Sequence, residues 1–138
     1  MQRFDKNEYD AVRQVLDSTD KTLSYYSFSY KGKGGQVYEF ERDFARWQGR
    51  KYAVAVNSGT SALIVALLSL KNKYVNRVAV PAYTFVADAE ATIASGLEPF
   101  FCDIDRNTWC MNEWDVRSRI HIPVHTLGNA VDCDEIKW

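Results

Sequence analysis

The sequence predicts an α/β fold, a three-layer sandwich in which helices cover both faces of a mainly parallel sheet. Short segments rich in β-branched and aromatic residues alternate with longer helical segments along the chain, and this alternation is the order that builds a parallel sheet. The chain has 138 residues, of which 46% are hydrophobic and 25% are charged. It is therefore long enough to bury a core and has the composition of a globular protein.

The first 50 residues predict two amphipathic helices, NEYDAVRQVLDS and QVYEFERDFARWQG, separated by a loop. Their apolar residues recur at helical intervals and are Tyr9, Val12, Val15 and Leu16 in the first helix and Val37, Phe40, Phe44 and Trp47 in the second. The second helix should end at Gly49, because glycine is suited to a helix C-cap. The intervening TLSYYSFSYKGKGG has no helical period and ends in glycines, so we expect a loop there.

The rest of the chain predicts four strands and the helices between them. KYAVAV should form a short buried strand, and residues 60–70 are apolar nearly all round, so that helix should be buried on several sides. A second strand should run from Val78 to Val80 and stop at Pro81, and VADAEATIASG should form a helix that closes on Gly96. EPFFCDID and IHIPVH are the third and fourth predicted strands, and DCDEIKW predicts the start of a further helix.

Composition and charge exclude several classes of function. Seventeen basic and 18 acidic side chains give a net charge of −1, which offers no electrostatic case for binding nucleic acid or a membrane surface. The three cysteines include no CxxC pair, a pattern that fits a reducing compartment. The N-terminal MQRFDKNEYD has no apolar run of the kind found in secretory signals. We therefore expect a cytoplasmic protein.

A small polar stretch, Ser58-Gly59-Thr60-Ser61, lies between a predicted strand and a predicted helix. The start of a helix presents unpaired backbone N–H groups and the positive end of the helix dipole. Gly59 would allow close approach of a ligand, and Thr60 and Ser61 would add hydroxyl donors, so the stretch can bind a phosphate. The alternative is simple N-capping of the helix by Ser58 or Thr60. Local sequence leaves both interpretations open.

Three ordered blocks carry a resemblance to a known family. They are FERDFARWQGRKYAVAVNSGTSALIVALLSL, VAVPAYTFVADAEATIASGLEPFFCDID and IPVHTLGNAVDCDEI. Together they resemble the first part of the DegT/StrS-type sugar aminotransferases, which are pyridoxal-phosphate (PLP) enzymes of the aspartate-aminotransferase-like fold. The chain would then be an N-terminal portion of the PLP-dependent transferase major domain, with a helix and glycine-rich loop over residues 1–35 and a truncated α/β domain over residues 36–138.

The resemblance also implies a cofactor site and a partner. Gly59, Thr60 and Ser61 match the positions that hold the phosphate of PLP, and Phe85 matches the residue whose ring stacks on the pyridine face. From packing alone, Phe85 would instead be an ordinary core aromatic. The complete enzymes of the family move an amino group from glutamate or glutamine to a nucleotide-linked keto-sugar, and they act as homodimers with active sites at the subunit interface.

The residues that would perform the chemistry are not found in this sequence. Transamination by PLP needs a lysine that bonds covalently to the cofactor and an acidic group at the pyridine nitrogen, and in the family both follow the PVH block. Lys137 does not lie in the family's lysine motif, so no catalytic residue is assigned. The segment between Cys110 and His125 is also shorter than in the family. We therefore expect a chain that is not catalytically competent alone, or else a non-catalytic module that binds phosphate or PLP or that oligomerises.

Other active sites lack their signatures. A metal site at His121 and His125 is disfavoured because Pro123 prevents a regular helix between them and because residues four apart on a strand are about 13 Å apart. No G-x-S-x-G motif of a serine hydrolase is present. Asp103 and Asp105 are expected to be turn residues at the end of a strand.

Overall fold

The computed structural model describes residues 4–17, 35–72, 76–112 and 118–133. The chain divides by its internal contacts into two compact units, Met1–Ala55 and Val56–Trp138, which are described separately. The predicted boundary after residue 35 is a different division and stays a prediction. Within the described residues, no helix is both long enough and apolar enough to cross a membrane.

The first unit contains two helices, α1 (Lys6–Asp17) and α2 (Gln36–Trp47). Both agree with the apolar periodicity of the sequence. The α2 helix ends as predicted, because Gly49 has a φ of +63° and donates its N–H to the Arg46 carbonyl at 3.1 Å. This is the left-handed conformation in which glycine has no steric penalty. Most of the loop predicted between the helices lies outside the described residues.

The predicted buried strand KYAVAV is wrong in this structure. Residues 52–56 belong to no strand, and Tyr52 and Val54 are exposed. Strand burial requires a neighbouring strand and cover on the outer face, and no described residue pairs with this segment. The sequence has the composition of a buried strand, but the described chain does not provide its neighbour.

The second unit contains a small parallel sheet with helices on one face. Its elements are α3 (Gly59–Leu70), β1 (Arg77–Pro81), α4 (Ala87–Ala94), β2 (Glu98–Cys102), β3 (Ile120–His121) and a 3₁₀ turn (Thr126–Gly128). The strand order is β2-β1-β3, and both pairs are parallel. The predicted α/β class with a mainly parallel sheet is confirmed.

The two faces of β1 carry different parts of the core. Val78 and Val80 are fully buried, and the cluster around them also contains Leu63, Ile64, Leu67, Ala91, Leu97, Ile120 and Ile122. This cluster joins the sheet to α3 and α4. On the other face, Ala79 packs with Phe100, Cys102 and Met111. Successive residues of β1 thus belong to different clusters, because the side chains of a strand point alternately to its two faces.

The limits of several elements differ from those predicted. The third strand ends at Cys102 rather than Asp105, because the chain turns there and Ile104 forms an isolated antiparallel bridge with Met111. The fourth strand is reduced to Ile120–His121. Asp132 and Cys133 are not helical, and the remainder of the helix predicted at DCDEIKW lies outside the described residues.

The α3 helix exists, but the prediction that it is buried on several sides is wrong. Leu67 is its one buried residue, whereas Val65, Leu68 and Leu70 are exposed. One face of the helix packs on the cluster around Val78 and Val80. The opposite face is apolar and faces solvent, because no described element covers it.

Candidate cofactor site

Ser58 caps the N-terminus of α3. It has an extended backbone (φ −161°, ψ 162°), and its hydroxyl accepts the Ser61 N–H at 3.1 Å. Its hydroxyl also donates to Ser61 Oγ at 3.0 Å, and Ser61 Oγ in turn donates to Asn57 Oδ1 at 2.7 Å. The capping interpretation is therefore correct for Ser58. The network fixes the turn and also engages the Ser61 hydroxyl.

Capping leaves other donors of the helix open. Within the part of the chain that the structure describes, the N–H groups of Gly59 and Thr60 have no acceptor. A Cβ added to Gly59 would meet no atom within 4 Å. Two aligned donors at the positive end of a 12-residue helix, next to open space, form an arrangement that binds anions. Capping and phosphate binding are thus compatible, because they use different N–H groups.

The α3 and α4 helices run in the same direction. They pack side by side, and at their C-terminal ends Lys71 Nζ donates to the Ser95 carbonyl at 2.9 Å. Lys71 directly follows α3 and Ser95 directly follows α4. Because the C-terminal ends adjoin, the N-termini point toward the same edge of the unit. That is the edge at which β1 ends and Phe85 follows, and parallel α/β sheets bind ligands at this edge.

Phe85 lies in the turn between β1 and α4, and 77% of its surface is exposed. The alternative interpretation of Phe85 as a core aromatic is therefore wrong. The turn is fixed by a hydrogen bond of 2.5 Å from Thr84 Oγ1 to Asp88 Oδ2, and Asp88 is itself buried. Phe85 is thus an apolar ring held at the edge of the sheet on a fixed backbone, as stacking on a flat cofactor requires.

A pair of aromatic rings lies on the same unit. Tyr83 packs against Trp109 with a centroid distance of 5.1 Å and an interplanar angle of 59°. Trp109 has a φ of +61°, an unusual conformation for a bulky residue. The turn that holds it is built by Asp105, whose carboxylate accepts the N–H groups of Asn107 and Thr108 at 2.8 and 2.9 Å. These hydrogen bonds, that of Thr108 first, lower the pKa of Asp105, and its predicted role as a turn residue is confirmed.

The two histidines are held separately. His121 lies in β3, and His125 Nδ1 accepts the Val131 N–H at 3.0 Å, which places the proton of a neutral ring on Nε2. Across the described ranges, no group of three or more His, Cys, Asp or Glu side chains is close enough to hold one metal ion.

The amine of Lys71 is far from the open end of α3. Because Lys71 follows a helix of 12 residues, its backbone lies about 18 Å from Gly59 along the helix. Its side chain is also engaged at the Ser95 carbonyl. Lys137 lies outside the described residues.

Comparison with known proteins settles the family. The model of the DegT/DnrJ/EryC1/StrS aminotransferase family matches residues 3–138. The chain belongs to this family. GDP-perosamine synthase of Escherichia coli O157:H7 is 33% identical to it over 135 residues, which are 94% of this chain and 35% of that protein. The spore coat polysaccharide biosynthesis protein SpsC of Bacillus subtilis (strain 168) is 34% identical over 137 residues, 95% of this chain and 33% of that protein.

Solved structures agree with the fold. A crystal structure of GDP-4-keto-6-deoxymannose-3-dehydratase with a trapped PLP-glutamate geminal diamine is 28% identical, with a TM-score of 0.78 over 99% of this chain and 36% of that one. The chain thus spans about a third of the length of the relatives that it matches. Its fold is that of one part of a PLP-dependent aminotransferase.

Sequence reasoning missed three residues that shape the site. Asn57 anchors Ser61, and the Thr84–Asp88 pair fixes the turn of Phe85. The spacing T-x-x-x-D at the start of a helix was a usable signal, because a side chain before a helix can reach one in its first turn. Asn57 gave no such signal, since its role depends on the rotamer of Ser61.

Proposed function

We propose that this chain forms the phosphate-binding and ring-stacking part of a PLP-dependent sugar aminotransferase. In the complete protein, the reaction would transfer an amino group from glutamate or glutamine to a nucleotide-linked keto-sugar. The observation that carries the proposal is the open N-terminus of α3, where the N–H groups of Gly59 and Thr60 have no acceptor among the described residues and a Cβ added to Gly59 would meet none of their atoms within 4 Å. Membership of the aminotransferase family supports PLP as the ligand.

The residues present fit the two recognisable parts of PLP. The N–H groups of Gly59 and Thr60, with the Thr60 hydroxyl, would donate to the phosphate, and the positive end of the α3 dipole would stabilise its charge. Ser61 would contribute after its hydroxyl turns away from Asn57. The exposed ring of Phe85 would cover one face of the pyridine. When bound, PLP supplies an electron sink for bond cleavage at the amino-bearing carbon.

We further propose that the covalent lysine and the acid at the pyridine nitrogen come from residues outside this chain. The position of Lys71 at the opposite end of α3 supports this, as does the threefold greater length of the relatives. The chain alone would then bind PLP reversibly and would not catalyse transamination.

We also propose a homodimeric complete enzyme in the cytoplasm. The exposed apolar face of α3, with Val65 and Leu68, supports association with further protein. The thiols of Cys110 and Cys133 are those expected in a reducing compartment.

The test compares PLP with pyridoxal, which lacks the phosphate. We expect the chain to bind PLP at least about tenfold more tightly than pyridoxal, because each charge-assisted hydrogen bond contributes about 1.5–3 kcal/mol. The double variant Thr60→Val with Ser61→Ala removes two hydroxyl donors but keeps the backbone N–H groups, so it should reduce this preference. Ser69→Ala, near the other end of the same helix, is the matched control and should retain it.

Two results would contradict the proposal. Equal affinity for PLP and pyridoxal would show that the chain has no binding site for the phosphate. A stoichiometric adduct on one lysine after borohydride treatment of the PLP-bound chain would show that the covalent amine belongs to this chain after all.

A further inference from the structure

The N-termini of α3 and α4 point toward the same edge of the second unit, but their charges differ. Asp88 and Glu90 lie in the first turn of α4, whereas the first turn of α3 contains no acidic residue. A helix N-terminus is equivalent to about half a positive charge. One carboxylate therefore changes the α4 end to about half a negative charge, while the α3 end stays positive.

Asp88 is the acid that acts most strongly on this end of α4. It is the second residue of the helix and is only 8% exposed, whereas Glu90 is exposed to solvent. Water and salt screen an exposed charge much more than a buried one. The Asp88 carboxylate is also fixed in place, because its Oδ2 accepts the Thr84 hydroxyl at 2.5 Å. Its negative charge is thus held at the start of α4.

The start of α4 has open backbone donors, as the start of α3 does. Among the described residues, the N–H groups of Ala87 and Ala89 have no acceptor. The equivalent open groups of α3 belong to Gly59 and Thr60. The two helix ends therefore differ in charge and not in the presence of donors.

We infer that Asp88 is a specificity-determining residue, which repels the phosphate of PLP from α4 and so directs it to α3. Phe85 lies two residues before α4, so a phosphate at α4 would compete with stacking of the cofactor ring on Phe85. With the phosphate at α3, that ring is left to stack there. The inference rests on the proposed function, and it adds the residue that sets the orientation of the ligand.

Titration of the ¹⁵N-labelled chain with inorganic phosphate at constant ionic strength tests the inference. The α3 amides are those of Gly59 and Thr60, and the α4 amides are those of Ala87 and Ala89. In the wild type, phosphate should move the α3 amide resonances and leave the α4 amides in place. Asp88→Asn removes the charge but keeps an oxygen that can accept the same hydrogen bond. Its α4 amides should also move, with an apparent affinity at least about threefold above that of the wild type.

Two control variants separate charge from structure. Thr84→Val removes the hydrogen bond but keeps the Asp88 carboxylate, so phosphate should still leave the α4 amides in place. Glu90→Gln removes the exposed carboxylate of the same turn and should raise the affinity at α4 by less than Asp88→Asn does. An equal response in Thr84→Val and Asp88→Asn would overturn the inference, because a change in the turn would then explain both. An equal response in Glu90→Gln would also overturn it, because the repulsion would not be specific to Asp88.

The two sets of amides distinguish failure of this inference from failure of the proposed function. Phosphate that moves the wild-type α4 amides as much as the α3 amides overturns the role of Asp88. An Asp88→Asn variant whose α4 amides stay in place also overturns it. In both cases movement of the α3 amides leaves the proposed phosphate site standing. If phosphate leaves the α3 amides in place in every variant, it is that site which fails.

A reciprocal variant decides the question if Asp88→Asn does not fold. Thr60 is the second residue of α3, as Asp88 is the second residue of α4, so Thr60→Asp places a carboxylate at the equivalent position. It should weaken phosphate binding at Gly59 at least about threefold more than Thr60→Asn does. Equal binding by these two variants would overturn the inference, because a carboxylate at this position would then not repel phosphate.

Discussion

Removing the Glu41 carboxylate should destabilise the first unit. Glu41 is only 7% exposed, and its Oε1 accepts the Ala55 N–H at 2.7 Å. A hydrogen bond to a charged group contributes about 1.5–3 kcal/mol, and a neutral one about 0.5–1.5 kcal/mol. Glu41→Ala should therefore lower the free energy of unfolding by about 2 kcal/mol. Glu41→Gln keeps a carbonyl acceptor at the same place and should cost about 1 kcal/mol.

Glu39→Ala on the same helix is the matched control. Glu39 forms an exposed ion pair with Arg42, and exposed pairs contribute about 0.2–1 kcal/mol. Urea denaturation gives the three free energies, and exchange of the Ala55 amide reports the local effect. At 1.4 kcal/mol per factor of ten, that exchange should be at least about tenfold faster in Glu41→Ala. A Glu41→Ala variant as stable as Glu39→Ala, with unchanged exchange at Ala55, would refute this account of Glu41.

Three further changes have defined outcomes. Gly96→Ala should lower the free energy of unfolding by about 2 kcal/mol, because φ is +67° and the new Cβ would lie 2.7 Å from Lys71 Nζ. Gly128→Ala, with φ +85° and no atom within 4 Å of the new Cβ, should lower it less in the same urea titration. An equal loss in the two variants would show that the Lys71 contact is unimportant. Gly59→Ala should leave the free energy of unfolding unchanged or raise it by up to about 1 kcal/mol. The same substitution should weaken PLP binding, and unaltered binding would count against close approach of the phosphate to the backbone at Gly59. Because the pKa of Asp105 is lowered in the folded chain, its carboxylate stabilises the turn fully above its ordinary pKa of 3.8, and this stabilisation is lost as pH falls through the lower folded value. Trp109 fluorescence should therefore change at acid pH in the wild type and not in Asp105→Asn. The same acid transition in both proteins would exclude Asp105 as its cause.

The sequence predicted the elements whose partners lie within this chain. Val78 and Val80 are β-branched, and they are fully buried because α3 and α4 pack on the face of the sheet to which they point. Gly49 and Gly96 end their helices with positive φ, as their positions predicted. In these cases local propensity and tertiary contacts agree.

The predictions failed where burial depends on a neighbour that the described chain does not contain. Tyr52, Val54 and the outer face of α3 have the composition of buried residues and yet are exposed. Apolar pattern records the environment of a residue in the complete fold, and it does not show which residues provide that environment. At the site, Ser58 and Gly59 were visible from sequence and the spacing of Thr84 and Asp88 was a usable signal, whereas the Asn57–Ser61 contact depends on side-chain geometry.

The central claim is that the N-terminus of α3 binds the phosphate of PLP, and amide chemical shifts of the ¹⁵N-labelled chain test it most directly. Titration with PLP should shift the Gly59 and Thr60 amide resonances downfield, since both N–H groups would gain an anionic acceptor, and pyridoxal should leave them in place. Movement of the Phe85 ring resonances with both compounds would accompany this result. If PLP leaves the Gly59 and Thr60 amides where they are, or moves them no more than pyridoxal does, the claim is contradicted.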